Sequence, residues 1–263
     1  MKRKLVVILF LNLLVFGFLT ARQTGAQSAL SGQANEVNRN SSIKTESLDL
    51  FDKKRSRSVP VALYSSASES KKQKLAIINH GYGMKNTEYS FIAETLIAQG
   101  YFVASIQHEL PTDEPMPTVG KPSEVRRPNW ERGVQNILFV ITELKKTRRD
   151  LDFKNLLLVG HSNGGDMTML FAEKYLKTAR KIISLDNRRM ALPRVKRPQI
   201  LSIRSSDQMA DEGVLPTAEE IEKLGINIIK LKNTIHNDMW DGATVEQKGE
   251  INEIILSFLQ SSI

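Results

Sequence analysis

Three glycines, Gly160, Gly164 and Gly165, crowd one serine in the stretch LLLVGHSNGGDMTMLFA, residues 156–172. A loop has no need of so many glycines, and each weakens a helix by about 1 kcal/mol. The pattern G-x-S-x-G between an apolar run and a helix-like run suits a sharp strand-to-helix turn. Such a turn lifts the serine hydroxyl above the sheet, and the residues two before and two after must be small to let backbone pass. Ser162 is therefore a candidate nucleophile.

A serine hydroxyl attacks poorly without a base, and the base needs an acid to hold its tautomer. On a strand–turn–helix serine of this kind, acid and then base are expected after the nucleophile, each at the carboxyl end of a later strand. His236, in LKNTIHNDMWDG, is the one histidine that follows Ser162. Two aspartates compete for the acid. Asp207 follows the run QILSIRS, and Asp186 ends the run before it, KIISLD. Asp207 is preferred, because the strand directly after the nucleophile's helix is the less common position for the acid; Asp186 stays as the alternative. The developing oxyanion needs N–H donors already in place. The backbone N–H of Asn163, next to the nucleophile, is one candidate, and that of Tyr82 in the glycine-flanked HGYG (residues 80–83) is the other. His80 and His161 are read as hydrogen-bonding supports for these loops.

The elements that would position these groups alternate in type. LDLFD and SVPVALYSS bracket a polar turn and predict two strands. KLAIINHG, YFVASIQ, NLLLVG, KIISLD, QILSIRS and INIIKLKN predict further strands, short and apolar throughout. Between them lie helical patterns: residues 87–100 ending at Gly100, Trp130 through Leu144, Asp166 to Leu176, TAEEIEKLG with a Thr217/Glu220 capping box, and Ile251 through Leu259. Continuous apolar strands alternating with helices predict an α/β domain, its mostly parallel sheet covered by helices on both faces. The stretch His108–Pro128 follows a strand at its carboxyl end, where ligands bind such sheets. It is either a pocket wall or a solvated loop. Arg188 and Arg189 are either ligands for an anionic substrate group or ordinary surface charge.

The amino terminus is read apart from this domain. MKRK followed by the apolar run Leu5–Leu19 predicts a secretory signal peptide spanning residues 1–26, with Thr24 and Ala26 at the small positions before cleavage. An uncleaved anchor is the alternative, and membrane contact would then come through that segment alone. Residues 27–45 predict a flexible linker, leaving 46–263 for the catalytic domain. Removing Lys2, Arg3, Lys4 and Arg22 with the leader lowers the net charge from +8 to +4. That weakens any reading as a nucleic-acid binder. The chain has no cysteine, hence no thiol nucleophile and no disulfide framework, and no HExxH or paired-cysteine spacing that would hold zinc. Export to the periplasm or medium is expected.

HGYG, GHSNGG, SSDQ and HNDM, in that order, together with DKKRSRSVPVALYSS, resemble the α/β-hydrolase superfamily from about Leu48 onward. The resemblance is greatest to its dienelactone hydrolase, cutinase-like and platelet-activating-factor acetylhydrolase-like branches. It implies an α/β-hydrolase fold and a serine ester hydrolase working on a small-molecule ester without a cofactor. Many lipases insert a helical cap where this chain has only the twelve positions from Asp186 to Pro198. No large cap domain is expected, and short acyl chains are expected to be favoured. A peptidase or amidase with the same triad, and a catalytically silent binding fold, are the competing readings.

Overall fold

The structure is a computed structural model and describes residues 43–67 and 72–261. The expected signal peptide and most of the expected linker lie outside the described residues. The remainder of that linker, Ile43–Thr45, is already strand: β1 runs Ile43–Asp52 and turns into β2, Arg57–Ser66. Then come β3 (Gln73–Asn79), α1 (Ser90–Ala98), β4 (Tyr101–Ile106), the one-turn α2 (Pro122–Val125) and α3 (Arg127–Thr147). β5 (Leu151–His161), α4 (Ser162–Lys174), β6 (Lys181–Leu185), β7 (Gln199–Arg204), α5 (Ala218–Leu224), β8 (Asn227–Lys230) and α6 (Val245–Gln260) complete the domain.

The eight strands form one sheet in the order β1-β2-β4-β3-β5-β6-β7-β8. β1 and β2 pair antiparallel, β2 meets β4 antiparallel, and every pairing from β4 to β8 is parallel. The expected α/β architecture is therefore present. Its cause is legible in β3, where successive residues serve opposite faces. Leu75 and Ile77 pack with Trp130, Ile137 and Leu144 of α3 and Leu170 and Phe171 of α4. Ala76 and Ile78 pack with Ile92 and Leu96 of α1 and Ile251 and Ile255 of α6. Both faces are covered, so the central strands carry no polar side to alternate with.

The capping box expected at Thr217 and Glu220 starts α5, and Thr244 with Gln247 makes a second one at α6. Between β6 and β7, residues 186–198 contain no helix, so no cap domain stands over the carboxyl ends of the strands.

Candidate active site

α4 starts at Ser162 itself, immediately after β5, four residues earlier than the apolar pattern suggested. Ser162 has φ +52°, a left-handed conformation that L-residues avoid and that functional turns retain. The glycines explain how the chain tolerates the turn. A Cβ on Gly164 would lie 2.2 Å from the carbonyl oxygen of Asn79, and one on Gly160 would lie 2.4 Å from the carbonyl oxygen of Gly164. Asn79 ties the same corner together, its Nδ2 donating to Val159 O at 3.2 Å and to Thr168 Oγ1 at 2.9 Å.

His236, in a short 3₁₀ turn after β8, has Nε2 2.9 Å from Ser162 Oγ. Its Nδ1 lies 2.6 Å from Asp186 Oδ2, and this corrects the preference for Asp207. The sheet register supplies the reason. Leu185 is level with His161 on β5, so the residues that follow the two strands, Asp186 and Ser162, emerge side by side. Asp207 lies three residues beyond the end of β7, is exposed, and accepts the backbone N–H of His236 at 2.8 Å. It braces the loop that carries His236 and does not touch the imidazole.

Asp186 is fully buried and, like Ser162, has a left-handed backbone, φ +53°. Burial pushes its carboxyl up, but the hydrogen bond to His236, the charge of Arg204 and the bonds from Ser205 prevail and hold it below the usual carboxylate value. Arg204 Nη2 is 2.7 Å from Asp186 Oδ1, and its Nη1 donates to Asn187 O at 2.6 Å. Ser205 donates its hydroxyl to Asp186 Oδ2 at 2.8 Å. The carboxylate is thereby kept ionised and fixed in orientation.

His80 and His161 act as supports, in keeping with their expected role. His161 Nδ1 is 2.7 Å from the Tyr89 hydroxyl, which accepts the N–H of Gly81 at 3.0 Å; its Nε2 is 3.1 Å from His236 O. A hydrogen-bonded chain thus connects the HGYG loop to the backbone of His236. His80 Nε2 accepts the N–H of His108 at 2.9 Å, and its Nδ1 lies 2.8 Å from Gly81 O. Burial pushes His80 down to about 4, and burial with the nearby His236 pushes His161 down to about 3, so both rings stay neutral near neutral pH.

Ser162 opens into a cavity of about 210 Å³ lined by Tyr82, Asn163, Met116, Thr118, Arg126, Asp166, Arg188 and Arg189. Met116, Thr118 and Arg126 come from the stretch His108–Pro128, so it does wall the pocket. Its start is clamped by Arg57, which donates to His108 O at 2.8 Å and to both oxygens of Asp113. Met116 N–H donates to the Tyr82 hydroxyl at 2.9 Å, closing the stretch against the HGYG loop. Tyr82 and Asn163 thus both border the cavity beside Ser162. Asn163 lies in the first turn of α4, where backbone N–H groups have no intrahelical acceptor.

Sequence reasoning passed over Glu109, which accepts Asn163 Nδ2 at 3.2 Å while Asn129 Oδ1 accepts it at 2.9 Å and Trp130 Nε1 donates to Asn163 Oδ1 at 2.7 Å. Burial pushes the Glu109 carboxyl up to about 7. A carboxyl raised on folding takes up protons the unfolded chain releases, so its contribution to stability is fully present below about 4.5 and is lost as pH rises toward 7. Glu109→Gln is expected to remove that slope. Chemical denaturation from pH 5 to 8 should show wild type losing of order 3 kcal/mol relative to the variant; parallel curves would contradict the assignment.

No family model matches the chain. A Drosophila melanogaster protein described as a probable serine hydrolase is 27% identical over 116 residues, which are 42% of this chain and 34% of that relative. The matched stretch therefore spans about a third of the curated relative's length. Among solved structures, an esterase of Rhizomucor miehei superposes with a TM-score of 0.62 at 14% identity, covering 83% of this chain and 82% of its own. A dienelactone hydrolase-like promiscuous phosphotriesterase from metagenomic libraries gives 0.57 at 13% identity, covering 82% and 97%. A ferulic acid esterase from Streptomyces cinnamoneus gives 0.53 at 17% identity, covering 73% and 72%. With the sheet order, the serine turn and these superpositions together, the chain has the α/β-hydrolase fold.

Proposed function

We propose that the protein is a serine hydrolase of carboxylic esters working through an acyl-enzyme on Ser162. The observation that carries this reading is the continuous relay from Ser162 Oγ through His236 to Asp186, 2.9 and 2.6 Å long, beginning at a serine that lines a cavity. His236 Nε2 takes the Ser162 proton as Oγ attacks the ester carbonyl carbon. Asp186 holds the Nδ1–H tautomer and balances the imidazolium that forms. The carbonyl oxygen becomes an oxyanion, for which the N–H groups of Tyr82 and Asn163 are the donors. As the tetrahedral intermediate collapses, His236 returns the proton to the departing alkoxide. Water then adds to the acyl-enzyme, giving its proton to His236, and the acid leaves as Ser162 regains a proton. The esterases among the structural neighbours support ester chemistry.

Short acyl groups are the preferred substrates in this reading. The cavity is small, and with no cap over it each CH₂ left in water forgoes about 0.8 kcal/mol of binding. Turnover of p-nitrophenyl esters from acetyl to dodecanoyl, beside aminoacyl anilides, tests both points. The expected result is a kcat/KM maximum between acetyl and butyryl and slow anilide cleavage. A rising trend beyond octanoyl, or anilides preferred to esters, would contradict it. Export is part of the same reading and rests on the basic and apolar leader of residues 1–26. Amino-terminal sequencing of protein recovered outside the cytoplasm should begin at Gln27.

A further inference from the structure

Three arginines, Arg126, Arg188 and Arg189, line the cavity into which Ser162 opens. Arg189 is neutralised by an ion pair with Asp211. Arg126 and Arg188 make no ion pair within the described residues, and the side-chain hydrogen bond of Arg126 is a 3.3 Å contact from Nε to Pro117 O. The acids whose charge reaches Arg188 are already engaged. Asp186 is held by His236 and Arg204, while Asp166 Oδ1 accepts the backbone N–H groups of Arg189 and Met190, each at 2.9 Å.

Both arginines stand on braced backbone. Arg188 lies two residues past Asp186, and its carbonyl accepts Asp211 N–H at 3.0 Å. Arg126 occupies the joint between α2 and α3. Burial lowers the Arg188 pKa, Arg189 and Arg126 repel it further, and the charges of Asp186 and Asp166 offset part of this. Asp166 lines the same cavity, but it makes no ion pair with either arginine, and planar guanidinium forks left without a paired carboxylate match a carboxylate or phosphate.

We propose that the substrate carries an anionic oxygen group, a carboxylate or a phosphate, close to the scissile ester, and that Arg126 and Arg188 bind it. The proposal rests on the serine ester hydrolase reading and adds the class of ester. The anion takes no part in bond making or breaking; it places the carbonyl over Ser162.

The test compares matched pairs: p-nitrophenyl hydrogen glutarate against p-nitrophenyl valerate, and the butyrates of 4-hydroxybenzoate and of 4-hydroxyphenyl phosphate against phenyl butyrate. At least one anionic ester should exceed its neutral partner by about tenfold or more in kcat/KM, mainly through KM. The arm that wins tells carboxylate from phosphate and acyl side from alcohol side. The ratio should shrink at high salt, a readout that needs no variant, and should fall toward one in Arg188→Gln and Arg126→Gln. Arg149→Gln, at an exposed cation outside the cavity lining, should leave it unchanged. Neutral esters turned over as fast as every anionic partner, or a preference that survives both arginine variants, would overturn the proposal and leave the hydrolase reading standing. A wild type that cleaves none of these esters and resists fluorophosphonate labelling would overturn that reading, and this proposal with it.

Discussion

Asp186→Asn is expected to lower ester hydrolysis by about 10⁴-fold, and Asp207→Asn by about tenfold or less. The carboxylate of Asp186 lies 2.6 Å from His236 Nδ1, and an amide there loses the charge and can turn its NH₂ toward the ring. The imidazole would then carry its proton on Nε2, the nitrogen that must receive the Ser162 proton. The amide also leaves Arg204 as a buried charge with no counter-ion, a change that costs about 3–5 kcal/mol when a buried pair is broken. Thermal unfolding should therefore accompany the kinetics, so that the activity of the folded fraction is what is compared. Asp207 differs because it accepts a backbone N–H, which the Oδ1 of asparagine can still do. The opposite ranking of the two variants would mean that the relay drawn here is not the working one.

Ser162→Ala is expected to leave a folded protein with hydrolysis of a short ester reduced by at least about 10³-fold, because nucleophile and base act as a unit. The residual rate comes from whatever the cavity and its N–H donors contribute alone. The backbone at Ser162 adds a second expectation. At φ +52° an alanine retains the Cβ strain that glycine escapes. Ser162→Gly should accordingly be more stable than Ser162→Ala by about 1 kcal/mol, read from paired urea unfolding curves. Equal stabilities would indicate that the turn relaxes when the hydroxyl is lost.

The serine turn and the histidine were legible in sequence because each has local signals. Gly160 and Gly164 announce the tight turn, and His236 is the sole histidine after it. The acid was not, since Asp186 and Asp207 both follow apolar strands and nothing local separates them. What separates them is register, with Leu185 opposite both His161 and Ile203, so that Asp186 emerges between Ser162 and Arg204. Register between distant strands leaves no trace in spacing. Tyr89, Glu109 and Arg204 were missed for a related reason: Tyr89 meets His161 72 residues on, Glu109 meets Asn163 54 residues on, and Arg204 meets Asn187 17 residues back, each across different elements. The start of β1 was hidden because Ile43–Ser47 is exposed along its whole length and shows no apolar alternation. It is strand because β2 pairs with it through all ten residues. The short edge strand β8 was expected to be longer, its end being set by where β7 stops at Arg204, opposite Lys230.

Site-mapped covalent labelling reports whether Ser162 is a nucleophile made reactive by His236 and Asp186. Wild-type protein treated with a fluorophosphonate, digested and analysed by mass spectrometry should carry one adduct, on Ser162. Labelling should be far slower in Asp186→Asn and in His236→Gln, and close to wild type in Asp207→Asn. A folded wild type that takes up no label, or takes it on another residue, would rule out Ser162 as the nucleophile.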